Sequence, residues 1–400
     1  MVTLKSPEDR ADGLRIAVFG FDGTEASQIR RIRGFRALGA EVTAFCQRRG
    51  SMNADFQPEW PAVDLGPAPH NSFLRRGLGL FGAVRRALQG RRALAEADLI
   101  VARNMDLALI ALMARRLAGG RAPLVYECLD IHGLFTRDGA IGRIMRWVER
   151  RVLARSSLLV VSSPGFIREY FRPLQGYTGP VALVENKLWL GDHPPPRPIR
   201  AQGDGPLTIG LVGSIRCQQS VDLLFETARR MGPDLRLKFA GNLHDHAVRD
   251  FSENLAAMPN ADWSGPYLYP QGLADAYADC DMVWAQDLWQ SGSNSDWLLP
   301  NRIYEASWCG CPQIAVGSTE TGRRIQADEL GYTIPAATPE ALESALRNLN
   351  RDEVTAKSAE LLARPASDFT LSSADLLPML SPARRDLPLT KGRAGASATR

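Results

Sequence analysis

Arg302 and Glu305 stand three residues apart, directly after Pro300 and Asn301 and shortly before Gly310. Proline suits the first turn of a helix and glycine its end, so a helix is predicted over 301–309. Residues three apart share a helix face. Free N–H groups and the positive end of the helix dipole lie at the same end. A guanidinium, a carboxylate and spare N–H donors in one place suit a nucleotide: cation and helix end for phosphates, carboxylate for ribose hydroxyls. The alternative is an ordinary surface ion pair. Two further groups could do chemistry. Gly213-Ser214-Ile215-Arg216 follows an apolar run and precedes a predicted helix over 219–230. A strand, a glycine loop and a helix make an anion cradle of backbone N–H groups; the alternative is a plain turn. Glu127, Asp130 and His132 lie at the end of the apolar run 123–127. Ligands of open parallel sheets bind at the carboxyl ends of strands, so these three are candidates to orient a hydroxyl or a sugar. The alternative is that they cap the next helix.

Leu299-Pro-Asn-Arg-Ile-Tyr-Glu305, followed by Gly310-Cys-Pro-Gln-Ile-Ala315, resembles the donor-site signature of GT-B glycosyltransferases, above all the retaining family 4. That signature reads P-[NS]-K-[LI]-x-E-x5–6-G-x-P-[VI]-[IV]-A. Arg302 replaces the usual Lys, which keeps the charge and changes its geometry. Many members carry an earlier Glu that touches the donor sugar; here that position is Trp297, with Asp296 beside it. The loop 213–220 resembles the family's pyrophosphate loop G-x-[IL]-x-x-x-K-G, with Gln219-Ser220 in place of Lys-Gly.

The resemblance implies an α/β fold of GT-B type, two doubly wound Rossmann-like domains facing a central cleft. It implies transfer of a sugar from a nucleotide-sugar to an acceptor hydroxyl, with retention, in cell-surface polysaccharide or glycolipid synthesis. Arg216 and Arg302 would hold the donor phosphates with Gly213, Ser214 and Asn301, Glu305 the ribose, and Asp296 would lie at the donor sugar. Gly23, in the loop after the first strand, would face the cleft; turn geometry alone is the alternative. The nucleotide-sugar is a substrate, so no cofactor is expected, and no metal is required. The acceptor would be a sugar or lipid-linked. Two other readings are a non-catalytic protein of the same fold and a nucleotide-sugar epimerase.

These residues need elements to position them. Apolar runs at 14–19, 41–45, 98–102, 123–127, 158–162, 207–212, 236–240, 281–286 and 313–316 read as strands, alternating with helical stretches, as in parallel α/β sheets. Residues 50–72 read as loop, and 70–90 as an amphipathic helix bearing Arg75, Arg76, Arg85 and Arg86. Such a helix suits an anionic bilayer, or packs on the sheet as a solvated basic helix. The Pro-rich stretch 194–205 reads as a linker between domains over 14–193 and 206–365. Residues 366–380 read as a helix returning to the first domain, and 1–13 and 381–400 as disordered.

Four hundred residues exceed one ordinary core. Residues 1–200 hold 30 Lys and Arg against 19 Asp and Glu, whereas residues 201–380 hold 13 against 24. This split suits an anionic membrane surface or a pyrophosphate-linked acceptor on the first half. The arginines are not interleaved with aromatics, so no nucleic acid is expected. Six cysteines without a CxxC pair, no secretory apolar stretch and no apolar run of about 18 residues predict a cytoplasmic protein, peripheral at the membrane's inner face.

Overall fold

A computed structural model describes residues 11–48, 56–67, 73–190, 197–198 and 205–385. The first sheet has seven strands: β1 (Arg15–Gly20), β2 (Glu41–Arg48), β3 (Ala62–Pro67), β4 (Leu99–Arg103), β5 (Leu124–Cys128), β6 (Leu158–Val161) and β7 (Val181–Leu183). Its order is β3-β2-β1-β4-β5-β6-β7. The second has six: β8 (Leu207–Val212), β9 (Leu235–Ala240), β10 (Ala261–Trp263), β11 (Met282–Trp284), β12 (Gln313–Val316) and β13 (Gly331–Ile334), in the order β10-β9-β8-β11-β12-β13. Every pairing is parallel. Both sheets reverse their winding once, between β1 and β4 and between β8 and β11. Such switch points open a crevice beyond the carboxyl ends of the strands.

The principal helices are α1 (Ala26–Ala37), α2 (Phe73–Ala87), α3 (Asn104–Ala118), α4 (Ala140–Leu153), α5 (Gln218–Met231), α6 (Asn301–Trp308), α7 (Glu320–Ala327), α8 (Arg351–Ala363) and α9 (Leu377–Arg385). They cover both faces of each sheet, which explains why central strands such as Leu-Ile-Val-Ala-Arg of β4 are buried throughout. The chain is thus an α/β protein with two doubly wound domains.

Several sequence expectations change. Residues 62–67 form edge strand β3 rather than loop; β10 and β13 are likewise short edges. Residues 11–13 are ordered, because Ala11 is buried and its N–H donates to the Leu38 carbonyl at 2.7 Å. Residues 381–385 continue α9, since Ala383 packs into the core on one face of the first sheet. Residues 1–10 and 386–400 lie outside the described residues. In the stretch read as linker, Arg197 donates to carbonyls of Ser307, Trp308, Leu361, Leu362 and Arg364. It thereby satisfies the carbonyl ends of α6 and α8, which helix geometry leaves open.

The chain crosses between domains a second time at its end. The Leu371 N–H donates to the Leu188 carbonyl at 2.6 Å and the Leu188 N–H to the Phe369 carbonyl at 3.1 Å, around an isolated bridge between Leu188 and Thr370. Beyond it Leu371, Leu376, Met379, Leu380 and Ala383 join Ile16, Val18, Phe35 and Val101 in one core layer of the first domain.

The basic helix is α2. Ala83, Val84 and Ala87 are buried against the sheet, and Arg86 donates to the Leu65 carbonyl at 3.2 Å. Its C-terminal half therefore packs as a sheet-covering helix; the side chains of residues 73–78 lie outside the described set.

Candidate functional site in the interdomain cleft

Pro300 precedes α6 with extended backbone and no side-chain cap; the Ile303 N–H turns back to the Pro300 carbonyl at 3.1 Å, and among the described residues those of Asn301 and Arg302 remain open. Gln313 of β12 donates to the Ile303 carbonyl at 3.0 Å and to Ser307 Oγ at 2.6 Å, fixing helix to strand. Arg302 does not pair with Glu305. Its Nε donates to the Val212 carbonyl at 2.7 Å, and Nη1 to those of Trp284 and Ala285 at 3.2 and 3.4 Å. Those carbonyls end β8 and β11, so the guanidinium spans the switch point of the second sheet. Its Nη2 lies 3.9 Å from where a Cβ on Gly213 would stand.

Glu305 is buried, and among the described residues nothing donates a hydrogen bond to its carboxylate or ion-pairs with it. Burial pushes its pKa up, opposed by the charges of Arg30 and Arg302. Asn301 opens the same helix and is half-buried.

The glycine loop sits beside this pair. Gly213 has φ +109° and Gly241 φ +125°. A Cβ on Gly241 would meet the Gly213 carbonyl at 1.8 Å, so the loops after β8 and β9 touch only because residue 241 is glycine. Ser214 Oγ is 2.9 Å from His244 Nε2, and burial lowers the His244 pKa, with His246 and Arg216 adding to the effect. Arg216 is half-exposed and pairs with Asp287 at 3.1 Å.

Across the cleft stands the loop after β5. Asn294 of the second domain accepts from the Ile131 N–H at 2.8 Å and donates to Asp130 Oδ1 at 3.3 Å. Asp130 opens to the cleft with protein on its other sides. Desolvation raises its pKa, against the Asn294 hydrogen bond and the Arg216 charge. His132 caps the next short helix, accepting from the Leu134 N–H at 3.2 Å. Asp296 accepts from the Gly292 N–H at 2.9 Å and so shapes its own loop.

Trp297, standing where the resemblance has Glu, packs with Leu298 against the first-domain core. Its carbonyl accepts from Ser163 Oγ at 2.5 Å. That position is a joint between domains. Gly23 lies after β1, and a Cβ there would touch Cys46 at an ordinary 3.6 Å, so sterics do not require glycine.

Glu127 is no open site residue. Arg31 Nη2 reaches it at 2.6 Å and Arg103 Nε at 3.3 Å, and all three side chains are buried. Arg103 also reaches Ser27 Oγ at 2.8 Å and Glu25 at 3.4 Å. An Asp-x-Asp sequence that sequence reading passed over, Asp279-Cys280-Asp281, sits at the amino end of β11. Its carboxylates pair with Lys238 and Arg351, away from the cleft.

Sequence reasoning also missed Asn294 and Arg30. Arg30 on α1 donates to the Lys187 carbonyl at 3.1 Å and to the Tyr269 hydroxyl at 3.3 Å, joining the domains beside Glu305. Replacing Asn294 by alanine leaves the Ile131 N–H and one Asp130 bond unmade, costing about 1–3 kcal/mol. A larger radius of gyration in small-angle scattering is the expected result. An unchanged radius would mean that the remaining contacts between the domains, Arg30–Tyr269, Ser163–Trp297 and the Arg168–Glu320 ion pair at 2.7 Å among them, suffice to hold the cleft.

Residues 23–187 match the family described as a glycosyl transferase 4-like domain. The succinoglycan biosynthesis protein ExoL of Rhizobium meliloti (strain 1021) is 34% identical over 360 residues, covering 88% of each chain. Among solved structures, the sucrose-phosphate synthase of Thermosynechococcus elongatus superposes with TM-score 0.70 at 14% identity, covering 93% of this chain and 98% of that one. HepE of Anabaena, solved with UDP and glucose, gives 0.63 at 15% identity, covering 94% and 100%.

Proposed function

This chain belongs to the group 1 glycosyltransferases of GT-B fold, and we propose that it moves a sugar from a nucleotide-sugar to an acceptor hydroxyl during polysaccharide synthesis. One observation carries the reading. Glu305 is a buried carboxylate without a donor, one turn from a guanidinium that spans the β8/β11 switch point. The carboxylate oxygens keep some exposure, and the vicinal hydroxyls of a ribose can supply them with two donors. Arg302 Nη2, the N–H groups opening α6, and the loop Gly213–Ser214–Arg216 then receive the diphosphate. Their part in the reaction is to stabilise charge as it develops on the departing diphosphate. Asp130, facing them, orients the acceptor hydroxyl.

The succinoglycan role named for ExoL supports a polysaccharide product, and the UDP in HepE makes a uridine nucleotide the first donor to try. Retention, a hexosyl donor and independence of metal follow the family resemblance. A cytoplasmic location and a lipid-linked acceptor belong to the same reading. No helix among the described residues is long and apolar enough to cross a membrane.

A thermal-shift titration with uridine, guanosine and adenosine diphosphates tests it, with Glu305→Gln alongside. At a hundredfold excess over Kd a ligand stabilises by about 2.7 kcal/mol. The pH dependence has a definite sign. Burial raises the Glu305 pKa, so this group's contribution to apo stability is full below the ordinary glutamate range and fades as pH rises through the raised value. Ribose hydroxyls favour the carboxylate, so the nucleotide-induced shift grows with pH across that window in the native chain and stays flat in Glu305→Gln. No shift with any diphosphate would sink the donor site.

A further inference from the structure

The outer face of α4 departs from what a sheet-covering helix requires. Its inner side is ordinary: Val152 and Leu153 are buried, and Glu149, its sole acid, is turned inward to accept hydrogen bonds from Tyr126, Tyr170 and Gln175. Outward, where polar residues belong, stand Ile141, Ile144 and Trp147, exposed by 49, 59 and 52%. Leu174 from the following segment extends the patch, and with Pro173 it walls a shallow groove of about 740 Å³ along the helix.

Arginines rim this patch. Arg151 lies over the Trp147 ring at 4.8 Å, and Arg143 is exposed beside Ile144. Arg146 and Arg150 are tied by their guanidiniums to the Phe135 carbonyl and to Gln175 Oε1, at 2.6 and 3.1 Å, so their charges stay at the rim. No outward carboxylate lies on the helix; Asp138, in the preceding loop, is the nearest in sequence.

We propose that this face docks the protein on an anionic bilayer surface, with Ile141, Ile144 and Trp147 in the headgroup–acyl boundary and the arginines on lipid phosphates. An apolar stripe containing a tryptophan, ringed by cations and empty of anions, has the chemistry of an interfacial helix. A protein partner would need a hydrophobic ridge edged with acids to match it. The topology adds a consequence. α4 carries the chain from the carboxyl end of β5 to the amino end of β6, so its first turn lies at the cleft end of the domain. Docking by this face brings the Asp130 loop toward the bilayer, where a lipid-borne acceptor would enter. The proposal stands apart from the donor site and is tested without turnover.

The full chain is sedimented with vesicles of phosphatidylcholine alone and of phosphatidylcholine mixed with phosphatidylglycerol. Partition onto the mixed vesicles, absent on neutral ones and weakened by salt, is the expected result. The double substitution Ile144→Glu, Trp147→Glu should lower it about tenfold or more with an unchanged melting temperature, since both side chains are exposed. Arg143→Glu with Arg151→Glu, which leaves the apolar stripe intact, should lower binding to mixed vesicles as well. Failure of the native chain to bind mixed vesicles overturns the proposal. So does native-like binding by the Ile144/Trp147 variant, or a native dimer that this variant converts to monomer, which would make the face a self-association surface.

Discussion

Arg302→Ala is expected to lower kcat for glycosyl transfer by roughly 10²–10³-fold, the usual cost of removing one preorganised donor from developing negative charge. The guanidinium has two tasks that the substitution removes together. Nε and Nη1 hold three strand-end carbonyls at the β8/β11 switch point, while Nη2 lies at the glycine loop. Lysine separates them: as a point charge on a flexible stem it keeps the cation and loses the fork. Arg302→Lys should therefore recover most of the turnover while melting lower than the native chain by about 1 kcal/mol of lost hydrogen bonding. Steady-state kinetics and melting curves on both variants decide the matter. Native turnover in Arg302→Ala, with a lowered melting temperature, would reduce Arg302 to a strut.

Glu127→Ala should produce the largest loss of stability, about 3–5 kcal/mol, because it strands two buried guanidiniums without a counter-charge. Arg31 Nη1 and Arg103 Nη2 already lack a protein partner, so the cluster has no spare acceptor to fall back on. Burial alone would raise the Glu127 pKa, but the two arginines outweigh it and hold the carboxyl below its usual range. Its contribution is accordingly present above the unfolded glutamate pKa, near 4.3, and lost as pH falls through the folded value. Urea denaturation at neutral pH and in acid measures both effects. A midpoint close to native for Glu127→Ala would mean that water already serves these guanidiniums.

The helix and strand of the opening motif were legible because Pro300 and Gly310 punctuate them and because Gln313–Val316 is an apolar run bounded by turn residues. Edge strands were not: β3 lies among prolines and β10 spans three residues, too short for alternation to show. At the cleft, residue type pointed to Arg302, Glu305 and Asp130. It could not separate Asp130 from Glu127, which differ only in what the fold brings to them from α1 and β4. Asn294 was hidden in a polar loop and Arg30 in an arginine-rich helix, since each matters through a partner in the other domain. Trp297 looked like a missing sugar contact until its packing against the first-domain core placed it at the joint.

The returning C-terminal segment has a bearing on biosynthesis. The layer beneath β1 and β4 needs Leu376, Met379, Leu380 and Ala383, which leave the ribosome after every strand of both sheets. At roughly 5–20 residues per second, the first strands wait on the order of tens of seconds for the side chains that cover them. During that interval the nascent first domain exposes an apolar sheet face, a hazard for aggregation and a reason for chaperone dependence. The second domain, whose layers close within its own sequence apart from the neighbouring crossings at Leu188 and Phe369, can fold earlier. Synthesis from the amino terminus thus does not set the order of folding here: the domain made first is the one finished last.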